Sequence, residues 1–165
     1  MPETSEVVIN TGPLIALVAA TGDLRVLEIY RQVWVPFEVN QEIAAGGGAQ
    51  FALAEFETAH WLQKCTQSLD IAPHLLNTLD TGEASVIQLA LDKNIHTVVI
   101  DETAGRRIAR LNGLAVTGSI GILLRAKGEG SPFSMREAID RMQARGIWLS
   151  DRVIRFALTQ AGETR

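Results

Sequence analysis

Cysteine is nearly missing from this chain. Cys65 stands alone among 165 residues, so no internal disulfide can form. Aromatic residues make up only 5%, with one tyrosine, and no aromatic motif of the RNA-recognition type is present. Base stacking is therefore not the main mode of binding expected if the partner is a nucleic acid. Long apolar runs are missing too: the longest, Pro13 to Ala20, is far too short to cross a bilayer. The polar, acidic start Met1-Pro2-Glu3-Thr4-Ser5-Glu6 has neither the basic nor the apolar region of a secretory signal. These absences together predict a cytoplasmic protein with no membrane association. His60, His74 and His96 have no metal-ligand spacing. Gly46-Gly47-Gly48 lacks a following Lys-Ser/Thr, which rules out a phosphate-binding loop and leaves a helix stop and flexible turn.

What is present is an ordinary globular composition, 47% hydrophobic and 21% charged, in a length that suits one domain with one core. The net charge of −4 argues against a simple basic coat for nucleic acid. Its distribution is uneven. Residues 1–100 hold 4 Lys/Arg against 12 Asp/Glu, a balance of −8, and residues 101–165 hold 11 against 7, a balance of +4. Such asymmetry suits a polyanion or a partner of mixed charge, though clustering on solvated helices gives the same numbers.

Strands and helices alternate. Glu6 to Asn10 reads as a buried strand, and Thr11-Gly12-Pro13 opens a helix with Thr11 as N-cap and Pro13 near its first position. A second helix is expected over Asp23–Tyr30, a strand at Val33–Val35, and helices over Pro36–Ala45 and 50–60, with Trp61–Thr66 extended. Asp80–Asp92 is strongly amphipathic. Thr97–Ile100 is a strand ending at Asp101, a basic helix follows over 102–112, and Leu114–Thr117 is a strand. Ser119–Lys127 is an apolar helix, and helices at about 134–145 and 151–161 close the chain. This order predicts an α/β fold with a mostly parallel central sheet covered on both faces. The closing helices are expected to pack on the same single domain.

In such sheets, sites form beyond the carboxyl ends of the strands. Asn10 and Asp101 end two predicted strands there. Each alone reads equally as a turn former; two at one sheet edge suggest a site. Glu83 is in phase with Val86, Ile87, Ala90 and Leu91, so it points inward with the apolar face. Asp80-Thr81-Gly82-Glu83 also fits a capping box, and local sequence leaves the two readings even. Glu42 lies one turn after Glu38 on its helix, where Glu38 reads as a solvated residue. Glu102 is either a further ligand or a first-turn acid. Carboxylates from separate elements suit a hard divalent ion such as Mg²⁺ or Mn²⁺. Arg106, Arg107, Arg110, Arg125 and Lys127 are candidates for phosphate contact, or else cations on solvated helices. Ile147-Trp148-Leu149 and the last helix could bury a two-fold interface or pack on the chain's own core.

Five segments, in order, resemble PIN-domain proteins: Val7–Leu17, Val35–Ile43, Gly82–Ala90, Val99–Ala109 and Thr117–Lys127. The last looks like a prokaryotic subgroup related to toxin–antitoxin ribonucleases. The resemblance implies a three-layer α/β/α sandwich and a Mg²⁺- or Mn²⁺-dependent endonuclease acting on single-stranded or structured RNA. It also implies a homodimer and a small antitoxin partner. Carried over motif by motif, it assigns Asn10, Glu42, Glu83 and Asp101 to the catalytic and metal set, with Glu102 as an extra ligand and Thr11 in support. Asn10 stands where such proteins usually carry an acid. The alternative is therefore a PIN-fold module that binds nucleic acid or protein with weak or no catalysis. A phosphotransferase on a doubly wound sheet would want an aspartate nucleophile at this strand end, a role that asparagine fills poorly.

Overall fold

The computed structural model describes residues 6–46 and 50–163. Five strands form one parallel sheet: β1 (Glu6–Ile9), β2 (Gln32–Val35), β3 (Gln63–Lys64), β4 (Thr97–Val99) and β5 (Ala115–Thr117), in the order β3-β2-β1-β4-β5. Val7, Val8 and Ile9 are fully buried, as befits a central parallel strand covered on both faces. Val8 pairs with Trp34 on one side and Val98 on the other, and Ile9 pairs with Val99. The chain runs outward from β1 to β3, then returns to the other side of β1 for β4 and β5. The order reverses between β1 and β4, and a crevice opens past their carboxyl ends.

The helices are α1 (Thr11–Thr21), α2 (Phe37–Ala45), α3 (Gln50–Thr58), α4 (Pro73–Thr78), α5 (Thr81–Lys93), α6 (Thr103–Leu111), α7 (Ser119–Gly128), α8 (Met135–Ala144) and α9 (Asp151–Gln160). They flank the sheet as an α/β/α sandwich. α1 is apolar nearly all round and buries Leu14, Leu17, Val18 and Ala20 among α8, α3 and α7. α5 lies on β1 and β4 and gathers α2, α4 and α6. α8 is tied to α1 by Arg141, whose Nε donates to Ala20 O at 2.8 Å. Among the described residues, no helix is long and apolar enough to cross a membrane.

Some elements differ from the sequence expectation. The segment expected as a helix over Asp23–Tyr30 is a five-residue 3₁₀ turn, Arg25–Ile29. Gly22, in the left-handed region at φ 92°, ends α1 just before it, and Asp23 Oδ1 accepts from Arg25 N. α4 was not foreseen, because six residues show no clear period. Pro73 at its start was the available signal. Thr11 is the first residue of α1 rather than its cap. Asn10 holds the cap position without a side-chain bond to the helix. Gly46 closes α2 at φ 80°, and the expected turn over Gly47 and Gly48 lies outside the described residues.

Candidate metal centre

The crevice is built from four chain segments. β1 delivers Asn10, whose backbone N–H extends the ladder by donating to Val99 O at 3.1 Å. Asn10 is 8% exposed, and its Oδ1 is buried with no hydrogen-bond partner. Thr11, next along, donates its hydroxyl to Glu42 Oε1 at 2.6 Å and so aims the α2 carboxylate at the strand end. Glu38, by contrast, turns away: its Oε2 accepts from Leu69 N at 2.9 Å, so it secures a loop rather than lying on a solvated face.

α5 supplies the densest part of the site. Asp80 caps it, Oδ1 accepting from Glu83 N at 2.8 Å. That is half of a capping box. The other half is not made: the Glu83 carboxyl meets Glu102 instead, and its Oε2 is buried without a hydrogen-bond partner. Both readings of the Asp80–Glu83 segment therefore hold, one for the backbone and one for the side chain. Gly82 makes the convergence geometrically feasible. A Cβ there would stand 2.6 Å from Glu42 Oε1, 3.3 Å from Asn10 Oδ1 and 3.5 Å from Asp80 Oδ1. Three oxygens from three segments share a space that glycine leaves open.

Asp80, Glu83 and Glu102 each offer a carboxylate oxygen within 4.8 Å of the other two. Three acids so close cannot all ionise without a counter-charge. Burial, then the hydrogen bond with Glu102 and the charges of Asp80 and Glu102, push the Glu83 pKa up to about 8. At neutral pH the metal-free cluster therefore keeps a proton on Glu83. The donors are all oxygens, the set that hard divalent ions prefer, and two of them, on Asn10 and Glu83, lack a protein partner. The residues thus fit a divalent ion, which Asp80, Glu83 and Glu102 would hold with Asn10 and Glu42 at the margin.

Asp101 and Glu102 are neighbours that diverge. Glu102 joins the acidic cluster. Asp101 turns to the start of α7, where its Oδ1 accepts from Ser119 N at 2.8 Å. Arg106 is anchored beside it by donating from Nη1 to Ile100 O at 2.9 Å. A Cβ on Gly118 would meet Asp101 Oδ1 at 2.6 Å and Arg106 Nη1 at 2.8 Å, so both groups crowd over that glycine. Burial raises the Asp101 pKa, while Ser119 and Arg106 pull it back. One oxygen of Asp101 is thus committed to positioning α7.

Of the basic candidates, Arg106, Arg107 and Arg110 line one recess along α6. Arg125 pairs with Glu129 at 3.0 Å and stacks on Tyr30, and Lys127 donates to Phe133 O and pairs with Glu163 at 3.2 Å. These last two cations hold the fold together and are not brought to the crevice. The three histidines are exposed, and none joins the acidic cluster. Sequence reasoning missed Asp80 and Gly82 as site residues. The available signal was an acidic cap and a glycine directly preceding an inward glutamate.

A family model described as a PIN domain matches residues 6–163, a span that takes in every residue of the crevice. No curated protein and no solved structure matches the chain. The parallel sheet, the acids past its strand ends and the extent of that match agree: the chain belongs to the PIN-domain family, which points to a nuclease fold with an acidic cluster able to bind metal.

Proposed function

We propose that the protein is a divalent-metal-dependent endoribonuclease using Mg²⁺ or Mn²⁺ to hydrolyse phosphodiester bonds of RNA. The observation that carries this reading is the Asp80, Glu83 and Glu102 cluster, with unpartnered oxygens on Glu83 and on adjoining Asn10. A bound divalent ion would supply water activation and neutralisation of phosphate charge. The chain's own residues do the rest. Thr11 orients Glu42, the Asp80 cap fixes the first turn of α5, and Glu83 carries the proton that a bound cation would displace. Arg106 is preset by Ile100 O to face a phosphate, with Arg107 and Arg110 continuing the positive face. The family resemblance extends the proposal to a cytoplasmic toxin held by a small antitoxin and to a homodimer, all of one domain from the first strand to α9.

The test is incubation of labelled RNA with Mn²⁺, with and without EDTA. Cleavage is expected, is lost with EDTA, and is lost in Glu83→Gln and Asp101→Asn. Asp101→Asn keeps an acceptor for Ser119 N, so it probes charge without releasing α7. Cleavage that survives both variants would come from a contaminant and would end the proposal.

Asn10 favours a second reading, a PIN-fold module with weak or no catalysis. An amide oxygen brings no charge to an ion that leans on charge. Asn10→Asp is expected to tighten Mn²⁺ binding in calorimetry by about tenfold, roughly one ion contact at a partly solvated site. An unchanged affinity would place Asn10 outside the metal's reach.

A further inference from the structure

Glu102 of the acidic cluster also lines a groove of about 820 Å³, together with Asp101, Thr117, Ser119 and an aromatic wall that includes Trp148 and Phe156. The wall follows from local structure. Ile147 and Leu149, in the extended link before α9, pack onto the core, so Trp148 between them must face outward. It is 82% exposed. Val153 and Phe156 sit one turn apart on α9 and face the same groove, Phe156 at 54% exposure. Exposing such a group of large apolar side chains beside a charged cleft costs solubility, so a partner is called for.

The basic lining identifies that partner. Arg106 and Thr103 line both this groove and the recess that continues to Arg107 and Arg110. The Arg106 guanidinium in this groove, continued by Arg107 and Arg110 in the adjoining recess, together with an indole and a phenyl ring, fits a chain that is anionic along its backbone and flat in its side groups. Single-stranded nucleic acid is that chain: phosphates follow the cations, and unpaired bases stack on aromatic faces. A two-fold contact between copies fits less well. It would desolvate Asp101, Glu102 and Arg106 beside the apolar patch, and interface cores are depleted in such charges.

We infer that the Trp148–Phe156 wall is a base-stacking platform that seats an unpaired RNA base next to the acidic cluster, with the backbone laid along α6. This rests on the ribonuclease reading for the choice of RNA.

The test is fluorescence anisotropy with a labelled, unstructured RNA of about a dozen nucleotides and with the same strand annealed to its complement. Ca²⁺ replaces Mn²⁺ so that binding is read without turnover. Trp148→Ala is expected to weaken single-strand binding about tenfold, within the range that one stacked base supplies. Trp148→Phe should recover most of it, and duplex binding should be weak and indifferent to either change. Unaltered melting of the variants is expected from the exposure of the side chain. If Trp148→Ala binds the single strand as well as the unaltered protein, the platform is wrong, whether or not RNA is cut. If Trp148→Ala instead converts a dimer to a monomer in sedimentation with RNA affinity unchanged, the wall belongs to a contact between copies and the inference falls. Trp148-dependent binding without any cleavage in Mn²⁺ would uphold the platform and remove the ribonuclease activity.

Discussion

Glu83 concentrates the tension of the site. It is 4% exposed, faces two other acids and leaves one oxygen without a hydrogen bond. With its pKa raised from 4.5 to about 8, the folded protein keeps a proton that the unfolded chain gives up. The stabilising contribution of that proton is complete below the unfolded value and is lost as pH rises through about 8. Thermal melts without metal should therefore fall from about pH 5 to about pH 9, by something on the order of 2 kcal/mol after water penetration is allowed for. Glu83→Gln, neutral at every pH, should flatten that slope. Mn²⁺ competes with the same proton, so its stabilising effect should grow with pH in the unaltered protein and nearly vanish in Glu83→Gln. Superimposable pH profiles for the two proteins would mean that Glu83 behaves as a carboxylate open to water.

Among the elements, α8 depends on a residue far along the chain. Glu163 accepts from Met135 N at 2.6 Å and Arg136 N at 3.0 Å, and it meets Ser134 Oγ and Lys127 Nζ at 3.2 Å each. It serves as a remote cap on the positive end of α8, binding the last described residue to the helix that covers α1. Burial opposes ionisation, but the two backbone N–H groups, Lys127 and Ser134 outweigh it and hold the pKa down at about 2. A depressed carboxylate stabilises the fold above its unfolded pKa and loses that effect as pH falls through the folded value. Glu163→Gln should cost about 1–2 kcal/mol near neutrality, given partial solvent screening. The gap between the two proteins in urea unfolding should close as pH approaches 2. A gap that stays constant on acidification would show that shape, not charge, matters at this position.

For the whole molecule, the sheet was the most legible part. The β-branched runs Val7-Val8-Ile9 and Val98-Val99-Ile100 read as buried strands, and the polar residues after them mark the open edge where sites form. The inward phase of Glu83 was equally readable from its spacing to Val86, Ile87 and Ala90. Asp80 was not, because a helix cap already accounts for it locally; its second role exists only once Glu102 arrives from β4. Thr11 was read as a cap for the same reason, and Glu42, thirty-one residues later, claims its hydroxyl. Arg125 and Lys127 were indistinguishable in sequence from Arg106, since what separates them is the position of Tyr30, Glu129 and Glu163. Trp148 was ambiguous between core and surface until Ile147 and Leu149 took the inward positions.

The return of the chain to the flank of β1 sets an order of events. Asn10 and Glu42 emerge early in synthesis, yet the pocket lacks Glu102 until β4 has docked against β1 after two other strands and five helices have been made. Closing so long a loop is slow compared with forming the local helices. A nascent chain halted before that docking carries Asp80 and Glu83 without Glu102, so the three-acid cluster is incomplete. The protein's acidic pocket is thus completed only once the second half of the chain has been made.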